Sequence, residues 1–392
     1  MVVMSKRIRT IPPPPLSEYY KIAMELEKKG IEIIDFGQCG TDIYLPTEIL
    51  TKFKKLLSER QLYEYSRPEG LPEVREAVSI KLREDNNVEY SPDEIIITAG
   101  ANIATFLSVA TVADPGDDLI IVAPYYFDHL YAVLTLGVNP IFVDMDETDK
   151  GFMLDVEKLE KSITPKTKAI LINYPNNPTG STFDEKTLRG IADVAIKNDL
   201  FVISDEVYEY FVYDTKHISI SSLSEMKERT IMISSFSKSF GIAGWRIGYI
   251  ASSREIIDEI KRIQDVVIIC ASLPAQYLLN LVLAIRKPLI SEYREILKKR
   301  RNFIYKRLNE LPWMELSLPK GGIFAFPKVE GCTNSKKLAI NLLKQLGIIT
   351  VPGSLFGEVG EGHLRFSFGK TPISDISEGI DRLEEDLEKI PC

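Results

Sequence analysis

One lysine stands among small, hydroxylated and aromatic residues in the segment "SSFSKSFGIAGWRIGY", which runs from Ser234 to Tyr249. This residue is Lys238, and a second cation, Arg246, follows shortly afterwards. A plain surface helix would space its charges around one polar face, which this segment does not do. Because a lysine amine can condense with an aldehyde to form an imine, Lys238 is a candidate nucleophile.

Other residues capable of chemistry follow short apolar runs along the chain. Several of these runs are apolar almost throughout, as expected for strands covered on both faces, and helical patterns lie between many of them. This alternation predicts an α/β fold with a doubly wound, mainly parallel sheet. In such a sheet, ligands bind beyond the carboxyl ends of the strands. The segments at those ends are "AGAN", "PYYFDH", "YPNNPTG", "DEVY" and "SFSKSF", and they bring Gly100, Tyr126, Asn177, Asp205, Tyr208 and Lys238 to one edge.

Each of these residues also has an ordinary explanation when it is taken alone. Gly100 can simply form a turn before a helix, and Asp205 can be a helix N-cap. "PNNPTG" is a turn by its composition, Tyr126 can be a core aromatic, and a lone lysine usually lies at the surface. The joint appearance of these residues at successive strand ends is what favours a shared site.

Pyridoxal 5'-phosphate is the cofactor whose chemistry would use all of these groups. It requires a Schiff-base lysine and an acidic partner for its ring nitrogen, for which Lys238 and Asp205 are the candidates. Asn177 and Tyr208 can donate to its phenolic oxygen, and Tyr126 can stack on its ring.

The phosphate of such a cofactor needs backbone donors at a helix N-terminus, hydroxyl groups and a cation. The segment "AGAN" can supply the backbone donors. Ser235, Ser237 and Arg246 can supply the hydroxyls and the bidentate positive charge.

Composition excludes several other classes of protein. The chain has 392 residues, 45% of them hydrophobic, and a net charge of -8 without a long basic cluster, which argues against nucleic acid or a membrane as partner. Four cysteines without CxxC spacing and three distant histidines argue against a zinc site or a disulfide framework. We find no signal-peptide core and no apolar run near the roughly 20 residues of a membrane span, so we expect a cytoplasmic protein.

The texture of the sequence divides it into three parts. Residues 1–45 are predicted to form an N-terminal arm and part of a small domain, residues 46–285 a large cofactor-binding domain, and residues 286–392 a small α+β domain. The segment "IPPPP" favours an extended polyproline arm, with a disordered tail as the alternative.

The motifs "NYPNNPTG", "SDEVY", "SFSKSFGIAGWRIGY" and "RFSF" occur in the order found in a known family. From "YSRPEGLPEVREAV" to "HLRFSFG" the sequence resembles the class I/II aminotransferases of pyridoxal-phosphate fold type I, the aspartate aminotransferase-like enzymes. The resemblance implies a seven-stranded sheet, pyridoxal phosphate as cofactor, and L-amino acids and 2-oxo acids as substrates.

The resemblance also implies a role for each matching residue at the ring of the cofactor. Lys238 looks like the Schiff-base lysine and proton shuttle, and Asp205 like the partner of the ring nitrogen. Asn177 and Tyr208 look like the ligands of the phenolic oxygen. Tyr126 falls where the family has its stacking aromatic, and His129 where some members place a histidine behind the aspartate.

Further roles implied by the resemblance concern the phosphate, the substrate and a second subunit. The phosphate would be held by the loop and helix start, by hydroxyls and by one cation, namely Gly100, Ala101, Asn102, Ser235, Ser237 and Arg246. Tyr65 matches a tyrosine that reaches the phosphate of the other subunit, which implies a homodimer with shared active sites. Arg365 looks like the arginine that binds the substrate α-carboxylate. The family's "LGxGEPD" reads "FGQCGTD" here, so Cys39 and Gly40 form an altered pocket floor.

We therefore predict a transamination in two half-reactions. The alternatives are elimination or decarboxylation by an enzyme of the same fold, or a non-catalytic sensing module. The sequence leaves the specific amino acid open. Arg67 could bind a second carboxylate, or Phe324, Tyr19 and Tyr20 could line an apolar or aromatic pocket.

Overall fold

The computed structural model describes residues 4–58 and 60–386, in which strands and helices alternate along the chain. The strands are β1 (Ile34–Asp35), β2 (Ile95–Thr98), β3 (Asp118–Ala123), β4 (Asn139–Asp144), β5 (Asp146–Thr148), β6 (Gly151–Met153), β7 (Thr167–Asn173), β8 (Phe201–Asp205), β9 (Thr230–Ser235), β10 (Gly248–Ala251), β11 (Met314–Glu315), β12 (Phe324–Ala325), β13 (Lys328–Val329), β14 (Ile348–Ile349), β15 (Val351–Pro352) and β16 (Leu364–Ser367). The α-helices are α1 (Ser17–Glu27), α2 (Thr47–Leu56), α3 (Pro72–Lys81), α4 (Ala101–Val112), α5 (Phe127–Leu136), α6 (Val156–Lys161), α7 (Glu185–Lys197), α8 (Phe236–Ser239), α9 (Arg254–Val267), α10 (Leu273–Leu283), α11 (Arg286–Asn309), α12 (Ser335–Leu346) and α13 (Ile373–Asp386).

A seven-stranded sheet with the order β2-β10-β9-β8-β7-β3-β4 forms the centre of the molecule. β10 runs antiparallel to its neighbours β2 and β9, and the remaining neighbours pair in parallel. The five apolar runs that precede the segments singled out in the sequence are β2, β3, β7, β8 and β9 of this sheet. The prediction of a mainly parallel seven-stranded α/β fold is therefore confirmed.

The central strands are apolar on both faces because both faces are covered. Along β3, Ile120 and Val122 belong to one hydrophobic cluster, whereas Leu119 and Ile121 belong to another on the opposite side of the sheet. This alternation follows from the two-residue period of a strand. The sheet is thus held rigidly from both sides, which fixes the positions of its carboxyl-terminal edge.

Helix α7 shows how the sequence covers one face of the sheet. The side chain of Asp184 accepts a hydrogen bond of 2.8 Å from the backbone N–H of Thr187 and caps the helix. Its buried residues recur at helical spacing and include Leu188, Ile191 and Ala195. The charged residues of the same helix therefore face solvent.

A separate hydrophobic cluster joins the N-terminal segment to the C-terminal third of the chain. Tyr19 and Ala23 of α1 share this cluster with Leu342 of α12 and Ile380 of α13. β1 also pairs in parallel with β14. The division at residues 45/46 and 285/286 stays a prediction, although α11 begins at Arg286.

The cysteines differ in their bonding. Cys332 is disulfide-bonded, a single bond that the sequence analysis did not predict when it argued against a disulfide framework. Cys39 and Cys270 are free thiols. In the part of the chain that the structure describes, no helix has both the length and the apolar character needed to cross a bilayer.

Candidate active site

Lys238 lies in α8, directly beyond the carboxyl end of β9. Ser235 caps this short helix, because its Oγ accepts a hydrogen bond of 3.2 Å from the backbone N–H of Ser237. The Lys238 amine donates to the carbonyl oxygen of Cys39, and the Thr41 hydroxyl donates to the carbonyl of Lys238 at 2.8 Å. The N-terminal segment and the sheet edge therefore hold this lysine between them.

The electrostatic environment of Lys238 favours the neutral amine. Burial lowers the pKa of Lys238, and the nearby cations Arg365 and Arg246 act in the same direction. Asp205 and Cys39 oppose this effect. An amine with a lowered pKa is a better nucleophile and base at neutral pH.

Asp205 ends the neighbouring strand β8 and has a fixed orientation. Its Oδ2 lies 2.9 Å from Nε2 of His129, and its Oδ1 accepts a hydrogen bond of 3.2 Å from the backbone N–H of Val207. Both Asp205 and His129 are buried. The histidine therefore lies behind the aspartate, where the sequence predicted it.

Asn177 is held by two contacts in the loop after β7. Its backbone N–H donates to Oδ1 of Asn173 at 2.9 Å, and its own Oδ1 accepts a hydrogen bond of 2.9 Å from Nη1 of Arg365. Because a guanidinium group can only donate, the amide oxygen must face Arg365. The NH2 group of Asn177 is consequently the end that can donate to a ligand.

Arg365 is a fully buried cation behind the cavity wall, where it contacts Asn177. Its guanidinium carbon lies 4.8 Å from the ring centroid of Phe324 and 5.2 Å from that of Phe356. Nη2 donates to the carbonyl of Gly37 at 2.6 Å, while Nε is buried without a hydrogen-bond partner among the described residues. A buried cation with an unused N–H is suited to receive an anionic group.

Two tyrosines form further parts of the wall. Tyr208 is buried with its ring edge-on to Phe324, at 5.3 Å between centroids, and burial raises the pKa of its hydroxyl well above the usual range. Tyr126 donates from its hydroxyl to Oδ2 of Asp128 at 2.7 Å. The Tyr208 hydroxyl therefore stays protonated and is available as a donor, whereas the single hydroxyl hydrogen of Tyr126 is used by Asp128.

The opposite end of the cavity combines a helix start, hydroxyls and a cation. Gly100 precedes α4 with φ of +93°, and a Cβ added there would lie 2.8 Å from Nη2 of Arg246. Only glycine fits both this backbone conformation and this close approach. The Ser235 hydroxyl donates to the Ser237 hydroxyl at 2.9 Å, which keeps both oxygens at the same end.

Eleven of the predicted site residues line one cavity at this edge, namely Cys39, Ala101, Asn102, Tyr126, Asn177, Asp205, Tyr208, Ser235, Ser237, Lys238 and Arg246. Gly100, His129 and Arg365 contact these lining residues from behind. A Cβ on Gly40 would instead lie 3.3 Å from Cδ of Lys370. Tyr65 is 79% exposed and lies apart from the described wall of the cavity.

Two residues that line the cavity were not predicted from the sequence. Asn173 and Val207 line the cavity; Asn173 ends β7 and could have been found by the strand-end rule that located Asp205. Among the described residues, the wall does not include the four specificity candidates. Tyr19 and Phe324 are core residues, Tyr20 donates to Asp35 at 3.4 Å, and Arg67 is exposed.

The donors of this cavity fit pyridoxal phosphate. The Lys238 amine, the Asp205 carboxyl group and the donors of Asn177 and Tyr208 line one part of it, and hydroxyls, a helix start and Arg246 line another. A Gly100 side chain would fill the space beside Arg246, so the phosphate end has the open backbone that an anion needs. The fold and the site together have the features of a cofactor-dependent enzyme, with a buried lysine at the edge of an α/β sheet.

Comparison with known proteins identifies the family. Residues 32–383 match the family "Aminotransferase class I and II". The chain is 36% identical to the aromatic-amino-acid aminotransferase 2 of Thermococcus litoralis and 36% identical to the aspartate aminotransferase of Pyrococcus abyssi, in both cases over 99% of each chain. The chain belongs to the class I and II aminotransferases, and it is a pyridoxal-phosphate-dependent aminotransferase.

Solved structures agree with this assignment. The alanine aminotransferase of Pyrococcus furiosus superposes with a TM-score of 0.92 at 32% identity, covering 99% of this chain and 100% of that one. The aspartate aminotransferase of Thermus thermophilus with maleate gives a TM-score of 0.91 at 27% identity, covering 98% and 99%. The substrates in the names of these relatives differ, so similarity alone leaves the substrate of this chain open.

Proposed function

We propose that this protein transfers an amino group between an L-amino acid and a 2-oxo acid in two half-reactions, with Lys238 as the central catalytic residue. The observation that carries this proposal is the convergence of Lys238, Asp205, Asn177 and Tyr208 on one cavity. When bound, pyridoxal phosphate supplies an aldehyde for the amino group and an electron sink for the α-carbon.

The two ends of the cavity would hold the two ends of the cofactor. Lys238 would hold the aldehyde end, and Asp205 would favour the protonated form of the ring nitrogen. Arg246, Ser235 and Ser237 would bind the phosphate together with the backbone at Ala101 and Asn102. Asn177 and Tyr208 would donate to the phenolic oxygen, and Tyr126 would pack on the ring.

Arg365 would orient the substrate by its α-carboxylate. The rings of Phe324 and Phe356 both pack against the guanidinium group, and its Nε has no hydrogen-bond partner among the described residues and could donate to a carboxylate. Oriented in this way, the substrate presents its α-hydrogen to the neighbouring Lys238. The lowered pKa of Lys238 favours the neutral form of Nζ, which is the form that can accept that proton.

The cavity is proposed to be completed by a second copy of the chain. Tyr65 and Tyr63 are large aromatic residues that are 79% and 82% exposed, an arrangement expected at an interface. In a homodimer, Tyr65 of each subunit would donate to the phosphate in the other. The cytoplasmic location stays a prediction from the sequence.

A half-reaction screen tests the proposed activity. Purified protein loaded with pyridoxal phosphate is mixed with single amino acids while the visible absorption of the cofactor is followed. Transamination predicts that an amino acid discharges this absorption, yields its 2-oxo acid, and releases no ammonia. Loss of absorption with ammonia release, or no discharge by any amino acid, would contradict the proposal.

A further inference from the structure

Asp128 is an acidic residue in the first turn of α5 that had no role in the sequence analysis. Its Oδ2 accepts two short hydrogen bonds, one of 2.6 Å from Nδ2 of Asn102 and one of 2.7 Å from the hydroxyl of Tyr126. Both donors line the candidate active-site cavity. The carboxylate therefore lies one hydrogen bond behind the cavity wall.

No ion pair neutralises Asp128 within residues 4–58 and 60–386, and the two side-chain donors that contact it are neutral groups. After burial, the charge of Asp128 is the largest cause that raises the pKa of Tyr126, whereas Arg365 acts in the opposite direction. Asp128 therefore contributes a negative field at this part of the cavity wall.

The cations of the cavity already have other partners or proposed roles. Arg246 and Arg365 lie at the phosphate end and the α-carboxylate end, and Lys238 is the reactive amine. Asn102 and Tyr126 are proposed to meet the cofactor through the backbone and the ring face, respectively. Their polar ends, which converge on Asp128, are left for the side chain of a substrate held by Arg365. A second carboxylate there would approach Asp128 with like charge, which is unfavourable in a partly dehydrated cavity.

We propose that Asp128 is a specificity-determining residue that disfavours dicarboxylate amino acids and directs the enzyme toward amino acids with uncharged side chains. The proposal rests on the proposed aminotransferase function and names the substrate class of the same site. Repulsion between Asp128 and a second substrate carboxylate lowers the affinity for the wrong substrate, in addition to any attractive contact with the preferred one. It predicts that phenylalanine and leucine are better amino donors than aspartate and glutamate.

An acidic residue in a first helical turn also interacts favourably with the helix dipole, which is the simplest structural role for Asp128. That role alone would not bring two side chains of the cavity wall onto one carboxylate oxygen. It also makes no prediction about substrate choice, so the two roles can be separated by kinetics.

The test compares Asp128→Asn with Asp128→Glu. The asparagine removes the charge but keeps an oxygen acceptor for Asn102 and Tyr126, whereas the glutamate keeps the charge. For each protein, kcat/KM is measured for aspartate and for phenylalanine in the half-reaction. Removing the like charge should raise the aspartate to phenylalanine ratio by about fivefold, estimated for two charges roughly 7 Å apart in a polar cavity, and the glutamate variant should not raise it.

Two further measurements keep the result interpretable. Asp193→Asn removes an equal charge from an exposed position on α7 and should leave the ratio unchanged. In the unmodified enzyme, added salt should screen the repulsion and raise the same ratio, which tests the idea even if Asp128→Asn does not fold.

The outcomes distinguish this inference from the function on which it rests. An unchanged ratio in Asp128→Asn, or in the unmodified enzyme with added salt if that variant does not fold, overturns the role of Asp128 while transamination stands. If no amino acid discharges the cofactor absorption of the unmodified enzyme, the proposed function itself fails and this inference fails with it.

Discussion

At the scale of single residues, hydrogen bonds fix the orientation of the side chains in the candidate site. Arg365 orients Asn177, His129 orients Asp205, and Cys39 accepts a hydrogen bond from Lys238 through its carbonyl oxygen. The last contact uses the backbone, so a cysteine can replace a glycine at this position without losing it. The altered motif "FGQCGTD" is therefore compatible with an active-site role for this segment.

Replacing Arg365 by lysine tests the proposed carboxylate contact. Lysine keeps the charge but loses the planar pair of donors, so we expect kcat/KM for the preferred amino acid to fall by about 100-fold. The absorption of bound cofactor should be retained, because Arg365 is not proposed to hold the cofactor. Arg294→Lys, at an exposed position of α11, is the matched control and should retain full activity. Equal kinetics in the two variants would remove Arg365 from the site.

Sequence reasoning located these residues at the level of strand ends but could not supply all of their partners. Asp205 and Lys238 were predictable because each directly follows an apolar strand. The contact of Asp128 with Asn102 joins two helix starts that are distant in sequence, and no local pattern encodes it. The burial of Tyr19 and Phe324 likewise depends on packing between remote segments, which no local pattern encodes.

At the scale of elements, a buried ion pair fixes the turn that follows β8. Nζ of Lys81, at the end of α3, lies 2.6 Å from Oε1 of Glu209, and Ser234 of β9 donates to the same oxygen at 3.1 Å. Asn86 also donates to Glu209, at 2.5 Å. This network connects the turn that begins after Asp205 and carries Tyr208 to strand β9, which leads to Lys238.

Replacing Glu209 by glutamine should destabilise the fold. The change leaves the charge of Lys81 buried without its counter-ion, which typically costs about 3–5 kcal/mol in the free energy of unfolding. Urea denaturation of the purified protein measures this cost. Glu157→Gln is the control, because Glu157 and Lys161 form an exposed pair of 3.5 Å whose loss should change stability by less than about 0.5 kcal/mol. Similar midpoints for the two variants would show that the buried pair does not stabilise the turn.

The elements themselves were largely predictable because the seven strands are apolar and the helices between them are periodic. The antiparallel direction of β10 was not predicted, since an apolar run does not encode the direction in which it pairs. The strand-end rule still succeeded, because the reactive segments follow strands that all point the same way.

At the scale of the whole molecule, a cluster of charges connects the sheet-bearing part to the C-terminal part. Glu147 of β5 contacts His363 at 3.0 Å and Lys328 of β13 at 2.9 Å. The hydrogen bond from His363, followed by that from Lys328, lowers the pKa of Glu147 to about 2. The carboxylate form of Glu147 is therefore stabilised in the folded protein.

This lowered pKa predicts how stability depends on pH. Because the pKa of Glu147 is lower in the folded state than its ordinary value of 4.5, its contribution is complete above that value and is lost as the pH falls toward about 2. The stability difference between the unmodified protein and Glu147→Gln should shrink by about 1 kcal/mol on acidification through this range, since solvent screens a partly exposed group. Denaturation at a series of pH values measures the difference. A difference independent of pH would contradict the assignment.

The proposed homodimer can be tested by complementation. A Lys238→Ala subunit has no reactive lysine but retains Tyr65, while a Tyr65→Ala subunit retains Lys238. In a mixed dimer with shared sites, one of the two sites contains both Lys238 and Tyr65. Random mixing makes about half of the dimers mixed, so about a quarter of all sites should be active. Each variant alone should be much less active. Activity no higher than the average of the two separate variants would show that Tyr65 does not act across an interface.

The central claim is that Lys238 is the group that moves the proton, and its removal tests the claim most directly. Lys238→Ala protein, loaded with pyridoxal phosphate, is mixed with the preferred amino acid, and formation of 2-oxo acid is followed in a single turnover. Bound cofactor should remain detectable, while the rate of 2-oxo acid formation should fall by at least about 10⁴-fold, as expected for loss of an essential base. Formation of 2-oxo acid at a near-normal rate in this variant would show that Lys238 is not the group that moves the proton.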